Sequence, residues 1–439
     1  MLEPQGTLFL ILLLVAFGGL ITWVALAGQV VFRVIAACLS FIPAMVFGIA
    51  AVNKYYDYYQ TWGALYNDLS GQTTSIPHLT AAGLGKGTNG SVKNLIAGSS
   101  DAKFDAQYGL DFYTTIAGRH SHISRQALIY LPPQYFSKAY ANYRFPVIEL
   151  LHGSPGEPSA WVNVMNVVPI YLQAMASGKA APAVLVMPDT DGGQQYGLQC
   201  LNDTRGLQDM TYVAQEVPDW VVANLRVQKP GQAWGIAGYS EGGYCAANVA
   251  LQHPGLFGYA GSLSGYFSPI VSQVPANGRP GGKPIDVFEY AHDERLLAFN
   301  SPDEYVNRVP TSVSVPQFFL AAGAADAGDV QAAEMFRQEL LLRDARVPLD
   351  IIQGGGHQAN VWRSALTPMF EWMTPQLAQQ VQRIERHEGA LRKAGAKRHH
   401  KVVKKAKVVK KAKTAKTAKA VNAVKALEAA KAKSLTRAW

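Results

Sequence analysis

A serine framed by glycines can act as a nucleophile when the chain around it turns sharply. Residues 237–244 read A-G-Y-S-E-G-G-Y and place Ser240 at the centre of a G-x-S-x-G pattern. An apolar run with Trp234, Ile236 and Ala237 precedes it, and a helix-like run over 245–251 follows. That strand–turn–helix frame is what a nucleophile elbow requires. Gly238 and Gly242 let the turn close without steric clash, which leaves the hydroxyl at its tip. The helix that begins there points backbone N–H groups at developing negative charge. The structural alternative is a glycine-rich turn that packs a helix on a sheet.

A serine hydroxyl needs a base to take its proton. Around an elbow of this kind the order along the chain is serine, acid, histidine. His357, in G-G-G-H-Q-A-N-V-W just after the apolar run 350–352, fits as the base. His253 precedes a proline and reads as a helix cap, and His292 lies in an insertion where it could touch substrate. His387, His399 and His400 lie in or beside a basic tail. The acid falls between Ser240 and His357 in F-F-L-A-A-G-A-A-D-A-G-D, residues 318–329. Asp326 comes directly after a strand and is the favoured acid. Asp329 opens the next helix-like run, suits an N-cap, and is the alternative acid. Asp293, Glu294, Asp303 and Glu304 are outside candidates, since acids in loops are usually just solvated.

An oxyanion needs two N–H donors. One is expected from Glu241, directly after the nucleophile. The other is expected from L-L-H-G-S-P-G-E, residues 150–157, with Ser154 the favoured donor and Gly153 next. His152 in that loop reads as structural rather than basic. No Cys/His cluster has zinc spacing, and no metal or organic cofactor is implied.

The elements that must position these residues alternate along the chain. Strand-like runs cover 126–131, 147–151, 183–187, 233–238, 260–263, 317–321 and 350–352. Helix-like stretches cover 211–225, 241–252, 330–342 and 359–373. Such alternation predicts an α/β fold, a mostly parallel sheet with helices on both faces. Residues 268–316, rich in Pro and Gly, read as an insertion near the mouth of the site.

Four segments follow: 1–52, 53–106, 107–382 and 383–439. The first is almost wholly apolar, and two stretches, about 7–28 and 34–52, approach the roughly 20 residues a bilayer span needs. They predict a transmembrane hairpin turning around 29–33. A cleaved signal peptide is the alternative, disfavoured by the absence of a basic leading region and by the length of the run. If Arg33 stays on the cytoplasmic side, the catalytic segment faces outward. Tyr55, Tyr56, Tyr58, Tyr59 and Trp62 suit a membrane-interface belt, or a helix packed on the domain. Residues 71–106 read as a surface linker.

The last segment repeats Lys, Ala and Val. From Arg392 onward there are 17 basic residues and one acid, Glu428, so this tail carries +16 of a net +9 and the rest of the chain is mildly acidic. Lysine repulsion predicts a flexible polycation there. With 49% hydrophobic and 16% charged residues, the chain as a whole is not disordered. Cys200 and Cys245 pair if the domain faces an oxidising compartment, and otherwise stand as two buried thiols.

The pieces I-Y-L-P-P-Q-Y (129–135), V-I-E-L-L-H-G (147–153), G-Y-S-E-G-G (238–243), G-A-A-D (323–326) and G-G-H-Q-A-N-V-W (355–362) occur in one order. Over about residues 107–375 the chain resembles the esterase family that includes esterase D, feruloyl esterases and the mycobacterial mycolyltransferases. The resemblance implies an α/β-hydrolase core without a large lid, a Ser–acid–His triad, and ester hydrolysis or acyl transfer through an acyl-enzyme. It departs from the common pattern at Glu241, where Met or Gln is frequent, which bears on the polarity of the acyl pocket. The hairpin and tail lie outside the family core. They argue against a cytosolic S-formylglutathione hydrolase role and for an enzyme of cell-envelope lipid or carbohydrate esters, with mycolyltransferase-like transfer to a sugar as an alternative. Two other readings compete: a catalytically idle surface binding or adhesion protein, and a nucleic-acid binder acting through the tail. With membrane spans present, anionic envelope polymers or lipid head groups suit the tail better than nucleic acid.

Overall fold

The computed structural model describes residues 2–69, 106–192, 199–202, 207–269, 273–275, 284–286 and 294–435. It divides into two units, Met1–Val381 and Gln382–Trp439. The linker at 71–105, His292 and Asp293 lie outside the described residues.

Among the described residues ten strands occur in chain order: β1 (Leu110–Ala117), β2 (Ser124–Leu131), β3 (Val147–Leu151), β4 (Val184–Pro188), β5 (Gly231–Tyr239), β6 (Phe257–Leu263), β7 (Gln273–Pro275), β8 (Pro284–Asp286), β9 (Gln317–Gly323) and β10 (Leu349–Ile352). Eight form one sheet in the order β1-β2-β4-β3-β5-β6-β9-β10, while β7 and β8 pair apart. β1–β2 and β2–β4 are antiparallel and every later pair in the large sheet is parallel. This is the mostly parallel α/β sheet that the alternation predicts.

The central strands read as apolar runs because both of their faces are covered. On β5, Trp234 and Ile236 enter one core and Ala237 and Tyr239 the other. On β3, Val147 and Leu151 face the first core, and Ile148 and Leu150 the second. Glu149 shares the parity of Val147 and Leu151, so a strand of period two carries its carboxyl into the first core. The helices follow suit. Those that matter for the cores and the anchor are, in chain order, α1 (Thr7–Leu26), α2 (Val30–Tyr56), α3 (Trp62–Leu69), α4 (Ala160–Asn163), α5 (Val167–Ala176), α6 (Val217–Asn224), α7 (Glu241–Gln252), α8 (Ala327–Leu341) and α9 (Ala359–Leu435). Side chains of α6, α7 and α8 fill the first core, and those of α4, α5 and the start of α9 fill the second.

The N-terminal apolar stretch forms two helices long enough to cross a membrane. They pack as an antiparallel hairpin whose turn falls at residues 27–29, earlier than the 29–33 expected from charge. Arg33 therefore sits in the first turn of α2, where its Nε donates to the Ala27 carbonyl at 2.8 Å. Of the expected aromatic belt, Tyr55, Tyr56 and Trp62 are exposed, whereas Tyr58 and Tyr59 pack against the second core. Tyr58 and Tyr59 thus take the role of residues packed on the domain.

The tail differs from its expectation. Its described part is helical, as the last stretch of α9, through Leu435. Ala and Lys are among the strongest helix formers, and their propensity outweighs the like-charge repulsion that suggested a flexible polycation.

Candidate active site

Ser240 ends β5 and caps α7 with φ 54° and ψ −124°. A residue with a Cβ held at positive φ stores of order 1–3 kcal/mol. The strain persists because the surrounding chain leaves no slack. A Cβ on Gly238 would strike the main chain of Gly242, and one on Gly242 would strike the carbonyls of Leu151 and His152. The elbow is also tied to the next strand, since Ser240 N–H donates to the Leu263 carbonyl at 2.8 Å.

His357 lies in the loop between β10 and α9, and its Nε2 is 2.8 Å from Ser240 Oγ. Its Nδ1 meets Asp329 Oδ2 at 2.7 Å. Three side chains, from the elbow after β5, the first turn of α8 and the loop after β10, 117 and 28 positions apart, thus form one continuous relay. The imidazole edge rests on Trp362, with ring centroids 5.2 Å apart, and Trp362 stacks on Tyr239 at 4.7 Å. The aromatic pair holds the imidazole over the elbow. Trp362 is already part of the G-G-H-Q-A-N-V-W motif, but its supporting role is visible only once Tyr239 lies under it.

The acid expected from sequence, Asp326, is not the carboxylate that meets the imidazole. Asp326 adopts an extended conformation, N-caps α8, and accepts the N–H of Asp329 at 3.0 Å. The roles of the two aspartates are exchanged because α8 starts at Ala327, three residues before the helix onset read from the pattern. That shift puts Asp326 at the cap and Asp329 in the first turn, where its side chain meets His357. Asp326, Asp329 and His357 present three potential ligand atoms within 4.8 Å of one another. Those of Asp329 and His357 are engaged with each other, and Asp326 is engaged with the helix cap.

Gly153 lies against the elbow: a Cβ there would come within 3.1 Å of Ser240 Cβ. Ser154 follows and lines the same cavity as Ser240. His152 is buried and fixes this loop, its Nδ1 bonded to the Gly153 carbonyl at 2.9 Å and its Nε2 accepting the Thr190 N–H at 3.1 Å. It is structural, as expected. Glu241 is the first residue of α7, so its N–H has no partner within the helix. Its side chain turns away and accepts the Gln199 N–H at 3.0 Å. Burial, reinforced by Asp191, pushes this carboxyl well above the usual range. Cys245, on α7, forms a disulfide with Cys200.

The other histidines and acids stand elsewhere. His253 caps the C-terminal end of α7, about 18 Å from the elbow at the helical rise. His387 lies on α9, as do His399 and His400. Asp303 and Glu304 open a short helix, where Glu304 pairs with Arg308, and Glu294 opens another.

The family described as “Putative esterase” matches residues 122–373, more than half of the chain. The chain belongs to this esterase family. Along most of its length this family member is similar to an uncharacterized protein of Corynebacterium glutamicum, at 26% identity over 80% of this chain and 78% of that one. It also resembles the MPT51 antigen of Mycobacterium leprae, at 42% identity over 25% of this chain and 33% of that one. A shorter match is to the diacylglycerol acyltransferase/mycolyltransferase Ag85B of Mycolicibacterium smegmatis, at 41% identity over 13% of this chain and 18% of that one. Against these two mycobacterial relatives the chain covers a third or less of their length. Among solved structures, a ferulic acid esterase superposes with a TM-score of 0.51 at 23% identity, covering 61% of this chain and 98% of that one. It shares the α/β-hydrolase fold.

Proposed function

We propose that the chain is a membrane-anchored serine esterase or acyltransferase with its catalytic body on the extracytoplasmic side. One observation carries the reading: the unbroken relay from Ser240 Oγ through His357 to Asp329, at 2.8 and 2.7 Å, anchored on a strained elbow. His357, oriented by Asp329, takes the proton of Ser240 as the oxygen attacks an ester carbonyl. The oxyanion rests on the N–H groups of Glu241 and Ser154. The ester C–O bond then breaks, His357 passes its proton to the departing alcohol, and an acyl-enzyme remains on Ser240. Water or an acceptor hydroxyl, deprotonated by His357, attacks the acyl carbon and restores the serine.

The Cys200–Cys245 disulfide supports an oxidising compartment, in accord with Arg33 marking the cytoplasmic end of the hairpin. The named acyltransferase relatives favour acyl transfer alongside hydrolysis. The Lys-rich end of α9 suits anionic envelope polymers or lipid head groups.

Fluorophosphonate labelling of the full chain in detergent tests the nucleophile. Labelling of the wild type that disappears in Ser240→Ala is the expected result, and an unlabelled wild type would sink the assignment. Product analysis with trehalose as acceptor separates transfer from hydrolysis. Protease accessibility on intact cells reports the side on which the body and tail lie.

A further inference from the structure

Ser240, His357 and Ser154 line a cavity of about 630 Å³ together with residues of the two N-terminal apolar helices. Val46, Ile49 and Ala50 of α2 and Phe9 of α1 contribute to its wall. That volume lies in the range of about 300–1,000 Å³ seen for small-molecule sites. The docking of the hairpin is built into the fold. Arg363 of α9, five residues beyond Gln358 and adjacent to Trp362, donates to Asp57 at the end of α2 and to the Val164 carbonyl at 2.7 Å. Asn53 binds Tyr59 through both its side-chain groups, at 2.8 and 3.0 Å. Phe9 meets Trp62 edge to face at 5.2 Å.

The lengths of the helices set the depth. At about 1.5 Å per residue, the 27 residues of α2 span about 40 Å, against a hydrocarbon core of about 30 Å. Measured from the turn at 27–29, the core ends near Ile49. Val46 and Ile49 thus fall near the boundary of the hydrocarbon core, and they share a cavity with Ser240.

We propose that the hairpin is part of the active site as well as its anchor: the acyl chain of a bilayer lipid ester enters laterally and lies along α2, from Ile49 towards Val46, while its carbonyl reaches Ser240. The occupant follows from the lining, since a nucleophile and membrane-depth apolar side chains in one cavity fit a long-chain acyl ester. The proposal rests on Ser240 as the nucleophile for its catalytic sense, but the groove itself binds acyl chains whether or not the serine reacts.

The test uses the full chain in lipid nanodiscs. The ratio of kcat/KM for p-nitrophenyl palmitate to that for the acetate should fall at least about tenfold in Ala50→Trp and in Ile49→Trp, because either indole fills the groove. Phe41→Trp, on the part of α2 remote from the cavity, should leave the ratio unchanged. In parallel, cis-parinaric acid is titrated into the Ser240→Ala chain with and without Ala50→Trp. Affinity that drops at least about tenfold on adding the indole supports the groove independently of catalysis. An unchanged ratio in both groove variants, or unchanged or absent parinaric acid binding, would overturn the proposal. Loss of fluorophosphonate labelling in the wild type with parinaric acid binding intact would instead sink the nucleophile and leave the groove standing.

Discussion

Asp326 Oδ1 accepts the main-chain N–H of Asp329 at 3.0 Å, and this bond holds the first turn of α8 so that Asp329 faces His357. One aspartate is spent on the helix so that the other is free for the imidazole. The two carboxylates, three residues apart, therefore differ in what their loss should do.

Asp329→Asn should lower kcat for a short-chain ester by about 10³–10⁴-fold, the scale seen when the acid of such a relay is neutralised. Asp326→Ala should mainly cost about 1 kcal/mol of stability through the lost cap, with a far smaller kinetic effect. Steady-state kinetics and melting temperatures of both variants check the assignment, and a larger kinetic loss in Asp326→Ala would reverse it.

The elbow should be more stable without its Cβ. Ser240→Gly relieves the positive-φ strain, whereas Ser240→Ala keeps it, so the glycine variant should be more stable by about 1 kcal/mol while both are inactive. Thermal or denaturant unfolding of the two variants in the same detergent reads the difference. Equal stabilities would show that the conformation costs nothing.

Glu149 is fully buried on β3, and neither carboxylate oxygen has a hydrogen-bond partner among the described residues. Burial raises its carboxyl well above the usual range. In the unfolded chain the group ionises near pH 4.3. Above that pH the unfolded state sheds a proton that the folded state keeps, so stability falls as pH rises until the folded group ionises too. Glu149→Gln lacks this dependence. The melting temperature of Glu149→Gln relative to wild type should therefore be higher at pH 8 than at pH 4, and a pH-independent difference would refute the buried acid.

Arg363 joins residues 306 positions apart by pairing with Asp57, and the two side chains are 10% and 18% exposed. Removing one partner strands a largely desolvated charge. Arg363→Ala should destabilise the chain by about 2–3 kcal/mol, somewhat below the full buried-pair value because of that residual exposure. The double variant with Asp57→Ala should be less destabilised than the sum of the singles. Additivity in that cycle would show that the pair does not hold the hairpin.

What the residues alone made legible was local. The spacing of Gly238, Ser240 and Gly242 between an apolar run and a helical one defines an elbow, because the steric demands of that turn fall on a handful of consecutive residues. His357 was reached by chain order, and two spans by apolar length. The boundary of α8 was not legible, because where a helix starts depends on which carboxylate folds back as its cap. A three-residue change there exchanged the acid.

The sequence by itself determined that a serine in an elbow pattern, a late histidine, an apolar hairpin and a basic tail share this chain, and that its core is an alternating α/β sheet. Only the tertiary structure decided that Asp329 rather than Asp326 meets the imidazole, that Cys200 reaches Cys245 with Cα atoms 5.5 Å apart, and that α2 lines the same cavity as Ser240. The reason is physical. Short-range geometry is written in neighbouring residue types, whereas the distance between residues hundreds of positions apart is set by how the whole core packs.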